Sequence, residues 1–323
     1  MKLKTLAKTL PLVVTAALCS NANAGVSASA YLEVNDLFIE IDINGDGIAD
    51  AVNLSDYVTI ISGTRETNTS ADFNGVVDGD ASSVGATADS DAALVCVGPS
   101  CGILGLTNNG QTMDGGFGTA GVIGALVADD TVSYALADAA LTGSAIIGVG
   151  ATGFTYADVG IADPTAIAAA DATIFNNLLT QVTLQVLSDV DIRFTAQYDA
   201  FVDAVITPDI TNSGSINATA SAEVSFDLNV NDIGNAGAEI LDTGFDYSDF
   251  AFDFPGLGDI VQIIENDVDW ASAWVNVDAG SYQVEIAQDS DVQASLVPEP
   301  AALAIFGLGL LGLVGVGRKH KYK

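Results

Sequence analysis

"NATASAEVSFDLNVND", residues 217–232, decides the fold class. Ala218, Ala220, Ala222, Val224, Phe226, Leu228 and Val230 occupy alternate positions, and most residues between them are polar. Successive side chains of an extended chain point to opposite faces, so this period describes a strand with one buried face. "VDIRFTAQ" (190–197) repeats the pattern with Val190, Ile192, Phe194 and Ala196. "AWVNVDAGSYQVEIAQ" (273–288) reads as a hairpin, with Val275 and Val277 before the turn and Tyr282, Val284 and Ile286 after it. "AYLEVNDLFIEID" (30–42) and "DYVTIIS" (56–62) read as an early strand pair. One-sided alternation predicts antiparallel sheets packed face to face, a mainly β, jelly-roll-like β-sandwich.

Two regions depart from this pattern. From 63 to 121 the chain is rich in Gly, Ser, Asn, Thr and Asp, which predicts short strands and long loops. Within it, "DFNGVVDGD" (72–80) reads as a loop. Asp163 and Pro164 open a run of strong helix formers, and one helix is expected over 164–179.

The two ends are of another kind. Lys2, Lys4 and Lys8, an apolar run over 10–18 and Ala22-Asn23-Ala24 form a secretory signal peptide, with cleavage expected after Ala24. At the other end Pro298-Glu299-Pro300 precedes 17 uncharged residues, 301–317, and then Arg318, Lys319, His320, Lys321 and Lys323. As a helix that run rises roughly 25 Å, near the lower limit for a membrane span. The basic tail stays cytoplasmic and everything between the two ends lies outside. The expected domains are therefore 1–24, an exported domain over 25–297, and 298–323.

The C-terminal stretch resembles the PEP-CTERM sorting signal of Gram-negative bacteria. That resemblance implies recognition through Pro298, Glu299 and Pro300 by exosortase, a membrane-embedded processing enzyme. It also implies a transient membrane tether, then delivery to the cell surface or the exopolymer matrix. The tail "RKHKYK" departs from the family's run of Arg. The exported region also resembles, loosely, other Ala/Ser-rich β-sandwich proteins with this signal, in which a closing strand, here 281–296, leads straight into the triplet.

Residues 25–297 hold 41 of the chain's 42 acids and only Arg65 and Arg193 as bases, a net charge near −39. Nucleic acid is excluded as a partner, because no basic surface exists to neutralise phosphates. Acidic polysaccharides need a bridging cation. The exported part has neither His nor Lys, which removes the Ser-His-Asp triad, the Schiff-base lysine and the histidine metal site. A carboxylate-pair glycosidase stays formally open, although acids are too abundant for any pair to be a signal. Trp270 and Trp274 are read as core residues rather than a sugar platform. Cys96 and Cys101 enclose a turn sequence and are expected to form a disulfide in an oxidising compartment.

One loop has ligand spacing. In "DINGDGIADAVN" (42–53), Asp42, Asn44, Asp46 and Asp50 stand at loop positions one, three, five and nine, Gly47 stands at six, and Ile48 offers its carbonyl at seven. The motif resembles the calcium turns of FG-GAP and other extracellular β repeats more than an EF-hand, which needs a Glu where Asn53 stands. A structural Ca2+ is expected, with an affinity on the order of 0.1–1 mM. The alternative is a solvated turn that Asp, Asn and Gly make unaided. The reading is a non-enzymatic, exported surface or matrix (biofilm) component. Its alternatives are a calcium-dependent carbohydrate-binding or adhesive module, with exopolysaccharide as partner, and a carboxylate hydrolase.

Overall fold

A computed structural model describes residues 25–104, 107–109, 133–144, 150–162, 166–174, 181–207, 216–252 and 259–298. The signal peptide and residues 299–323 lie outside them. Among the described residues fourteen strands form two antiparallel sheets. The first sheet contains β1 (Gly25–Asp42), β4 (Ser90–Val97), β5 (Tyr134–Ser144), β6 (Gly150–Ile161), β9 (Val190–Thr207), β12 (Asp259–Ala271) and β13 (Val275–Val277). Its order is β12-β9-β1-β6-β5-β4, with β13 also on β9. The second contains β2 (Val58–Phe73), β3 (Val76–Gly85), β7 (Ile167–Ile174), β8 (Gln181–Val186), β10 (Ile216–Asp232), β11 (Ala238–Phe252) and β14 (Gly280–Pro298). Its order is β11-β10-β14-β7-β2-β3, and β8 fills the same slot as β7, between β14 and β2.

The sheets face each other strand by strand: β9 on β10, β1 on β14, β6 on β7 and β5 on β2. The alternation of 217–232 does what its period demands. All seven apolar side chains named there point inward and are no more than 2 % exposed. From the other sheet Val26, Ala28, Ala30, Leu32 and Val34 meet them. Full burial of each larger side chain contributes about 1.5–3 kcal/mol, an upper figure because the unfolded chain is partly collapsed.

The first sheet is also covered on its outer face. Tyr31, Tyr134, Leu136, Phe154, Tyr156 and Phe201 form a second buried cluster there. Cys101 and Leu104, from the one-turn helix Cys101–Leu104 in the β4–β5 connection, pack against it.

Four expectations are corrected. The expected helix over 164–179 is a strand where it is described, since Ile167–Ile174 pairs with both β14 and β2. Ala168 and Ala170 face the core and Asp171 faces out, so two ladders of hydrogen bonds outweigh helix propensity. The early pair does not form, because β1 and β2 lie in opposite sheets. Residues 275–286 are not a hairpin either: β13 joins β9 and β14 joins the other sheet, so the chain crosses between sheets at Asp278-Ala279. The Gly/Ser-rich region holds β2, β3 and β4, of which β2 has 16 residues. In it Asn74 and Gly75, at φ 55° and 78°, turn the β2–β3 hairpin where a loop was expected.

Candidate functional site

β1 hands the chain to the acidic loop at Asp42, which sits opposite Asp191 of β9 and is 1 % exposed. Asp42 Oδ1 accepts the N–H of Asn44 at 3.1 Å and of Gly45 at 2.8 Å, and its Oδ2 accepts Gly47 N–H at 2.6 Å. Burial pushes its pKa up, but the N–H donors of Gly47, Gly45, Asn44 and Asp46 outweigh that and hold it below the ordinary carboxylate range. Asn44 Oδ1 accepts Asp46 N–H, Asp46 Oδ1 accepts Ile48 N–H, and Asp50 Oδ2 accepts Ile43 N–H. Gly45 and Gly47 take left-handed φ values of 71° and 80°, which lets the chain wind round the Asp42 carboxylate. The Trp274 indole N–H donates to Gly47 O at 3.1 Å. The Arg193 guanidinium lies 4.6 Å from the Trp274 ring centroid and 2.6 Å from Glu40.

The structure thus gathers Asp42, Asn44, Asp46 and Asp50 in one wound loop, with the Ile48 side chain turned out to solvent. In this conformation each carboxylate serves backbone donors. Among the described residues no three Asp, Glu, Cys or His side chains converge as a metal-ligand group. Trp270 packs edge-on against Phe226, a core role, while Trp274 braces the loop.

Other polar groups carry no periodic signal and escaped the sequence reading. Asp158 is fully buried under the second cluster; Ser29 donates to its Oδ1 at 2.7 Å, and Tyr134 and Tyr156 donate to its Oδ2 at 2.8 Å each. Burial raises its pKa although those three hydroxyls oppose the shift. Asp138 is also fully buried, with Oδ2 accepting Asn109 N–H at 2.7 Å and Oδ1 without a partner among the described residues. Burial first, and the charge of Asp91 as well, push its pKa up to about 7. Each stands as a lone acid in an apolar run, "YALADAAL" and "FTYADVGI", and that is the signal that could have found them.

On the outer face of the second sheet Asp171 of β7 and Asp289 of β14 lie diagonally across the two paired strands, and Asp291 stands opposite Asp171. Burial and the neighbouring carboxylates push Asp171 up to about 6 and Asp289 up to about 7.

Cys96 and Cys101 are bonded to each other. The last junction is at the end of β14. Leu296 is 1 % exposed, its N–H donates to Ala166 O, and Pro298 pairs with Ile216 at the start of β10. Glu299, Pro300 and the apolar run 301–317 lie beyond the described residues, and among those residues no helix is long and apolar enough to cross a membrane.

Residues 296–319 match the PEP-CTERM protein-sorting motif. The match opens at Leu296, inside β14. No curated protein matches the chain. Similar solved structures include infectious bursal disease virus of the Gx strain, at 11% identity and a TM-score of 0.12 over 84% of this chain and 71% of that one. The Gt strain aligns at 12% identity and a TM-score of 0.08 over 91% of this chain and 87% of that one. Likenesses this faint carry no weight for fold or function. The C-terminal motif does: it is a PEP-CTERM sorting signal, which implies export and processing at the membrane by an exosortase.

Proposed function

We propose that this PEP-CTERM protein is a non-enzymatic component of the cell surface or exopolymer matrix. The observation that supports the reading is the continuity of β14 with the sorting motif. The last core strand ends at Pro298, so the exported sandwich is joined to the motif without a linker, as a body delivered whole. Its charge near −39 supports a hydrated, self-repelling particle whose counter-ions are cations. A structural Ca2+ on Asp42, Asn44, Asp46, Asp50 and the Ile48 carbonyl belongs to the same proposal. The donor set is all oxygen, as a hard dication requires, and binding would turn carboxylates now held by backbone N–H groups.

Fractionation of cells with and without exosortase tests the reading. The expected result is protein in the surface and matrix fractions of the parent, and retention of the full chain in membranes without the enzyme. Equal release from both strains would reject sorting through this motif. Hydrolysis of matrix polysaccharide by the purified protein would reject the non-enzymatic role.

A further inference from the structure

The outer face of the first sheet carries a trough on β9, two positions along that strand from the Glu40–Arg193 ion pair. Thr195, Ala196 and Gln197 form its floor, Asp36 and Phe38 of β1 one wall, and Asp269 to Ala271 of β12 the other. Its volume is about 340 Å³. We propose that it is a binding subsite for one residue of a neutral saccharide.

The walls exist because both strands flanking β9 are interrupted, along adjacent stretches of it. Against β9, β1 shifts register between Asn35 and Phe38, opposite Gln197 and Thr195, and β12 between Glu265 and Val268, opposite Ala200 and Tyr198. Each irregularity holds an aspartate in left-handed backbone, Asp36 at φ 53° and Asp267 at φ 50°. Residues other than glycine seldom stay there unless their surroundings hold them, and such strain gathers at functional sites. The Asp267 N–H is held by Asp199 Oδ1 at 2.7 Å.

An added residue reverses which face a strand's side chains occupy. Before the shift Tyr31 and Glu33 of β1 point outward; after it Phe38 and Glu40 do. In β12 the outward set changes from Ile264 to Asp269 and Ala271. Two strained positions thus bring one aromatic ring and one carboxylate over the same floor. A Cβ on Gly150 would lie 2.9 Å from Asp36 Cα and 3.0 Å from Phe38 Cζ, so that glycine backs the first wall closely.

The chemistry selects the ligand. A pyranose has apolar C–H faces, which an aromatic side chain accepts, and hydroxyls at its edge. Phe38 supplies the ring; the ring of Trp270 is engaged with Phe226 in the core. Asp36, Asp269 and the Thr195 hydroxyl supply acceptors for sugar hydroxyls, and Gln197 Nε2 donates to Asp269 Oδ1 at 2.9 Å, fixing that carboxylate. With two carboxylates in the walls and a net charge near −39 around them, a uronate or sulfated sugar is repelled and a neutral one is not. The inference does not depend on sorting, because binding in solution stands or fails without exosortase.

The test is saturation-transfer NMR and calorimetry on the purified protein. The probes are neutral trisaccharides of glucose, galactose, mannose and N-acetylglucosamine, with a uronate trisaccharide as contrast, each with and without EDTA. The expected result is binding of at least one neutral probe, insensitive to EDTA, and none of the uronate. Phe38→Ala and Gln197→Ala should each weaken it about tenfold, the scale of one good contact. Gln197 is exposed, so its variant keeps the fold and decides the matter if Phe38→Ala does not. Binding of no neutral probe, binding of the uronate equally well, or full affinity in Gln197→Ala would each overturn the proposal.

Discussion

Asp138→Asn should remove a measurable part of the pH dependence of folding. The carboxyl is fully buried, and burial with the nearby charge of Asp91 raises its pKa from 3.8 to about 7. In the unfolded chain it titrates near the ordinary value. Between the two values the folded state keeps a proton that the unfolded state has lost. Stability from this group is therefore full below the unfolded pKa and is lost as pH rises through the folded one. From about pH 5 to about pH 8 the unfolded carboxyl is ionised over some three units, the folded one over only some one unit. The difference of about two units corresponds to about 2.6 kcal/mol. Urea melts of wild type and Asp138→Asn across that range measure it. Asparagine can still accept the Asn109 N–H, and any cost of its second polar atom is the same at every pH. The difference in stability between the two proteins should shift by about 2–3 kcal/mol in favour of the variant as pH rises. A difference that does not change with pH would show that Asp138 is not held protonated by its surroundings, and the reasoning would fail.

Three more outcomes are expected. Phe226→Ala removes a ring packed against Phe245 and Trp270 at 1 % exposure and should cost about 3–5 kcal/mol in urea or thermal unfolding; a loss under about 1 kcal/mol would contradict the packing described. Calcium should raise the melting temperature above sodium chloride at matched ionic strength, by about 1.4 kcal/mol of stability at ten times the dissociation constant, and Asp46→Ala should abolish the gain; equal gains in both proteins leave only a charged turn. Intact mass of surface-released protein should show a start at Gly25 and an end near 297–300, whereas a chain still carrying Lys323 would reject processing and a terminus inside 280–296 would mean that the enzyme opens a core strand.

The fold was legible where one face of a strand is buried and the other is wet. β10, β9 and β14 alternate for that reason, and each was read at its place. β5 and β6 were not read at all. Both their faces are buried, one in the sandwich and one under the second cluster, so small and apolar residues run on without a period. β7 misled because alanine suits a helix in isolation and also the tight space between two sheets. The β2–β3 hairpin carried its own signal, Asn74-Gly75, but polar flanks hid the strands on either side. The Asp42–Asp50 loop was legible in its turns and glycines. Its bracing by Trp274 from a strand connection over 200 residues away was not, because spacing along the chain says nothing of such a partner. The trough is less legible still, since a register shift shows only when the neighbouring strand is known.

The end of β14 at Pro298 also decides how the molecule bears mechanical load. On the proposed C-terminal tether, a drag on the sandwich would reach the cell envelope through that residue. β14 lies in the middle of its sheet, antiparallel to β10 along its whole length and to β7 and β8 on the other side. Tension along its axis therefore shears both ladders at once, and their hydrogen bonds must yield together. An edge strand pulled from its end would peel, one bond after another. An attachment at this point would make the domain resist shear.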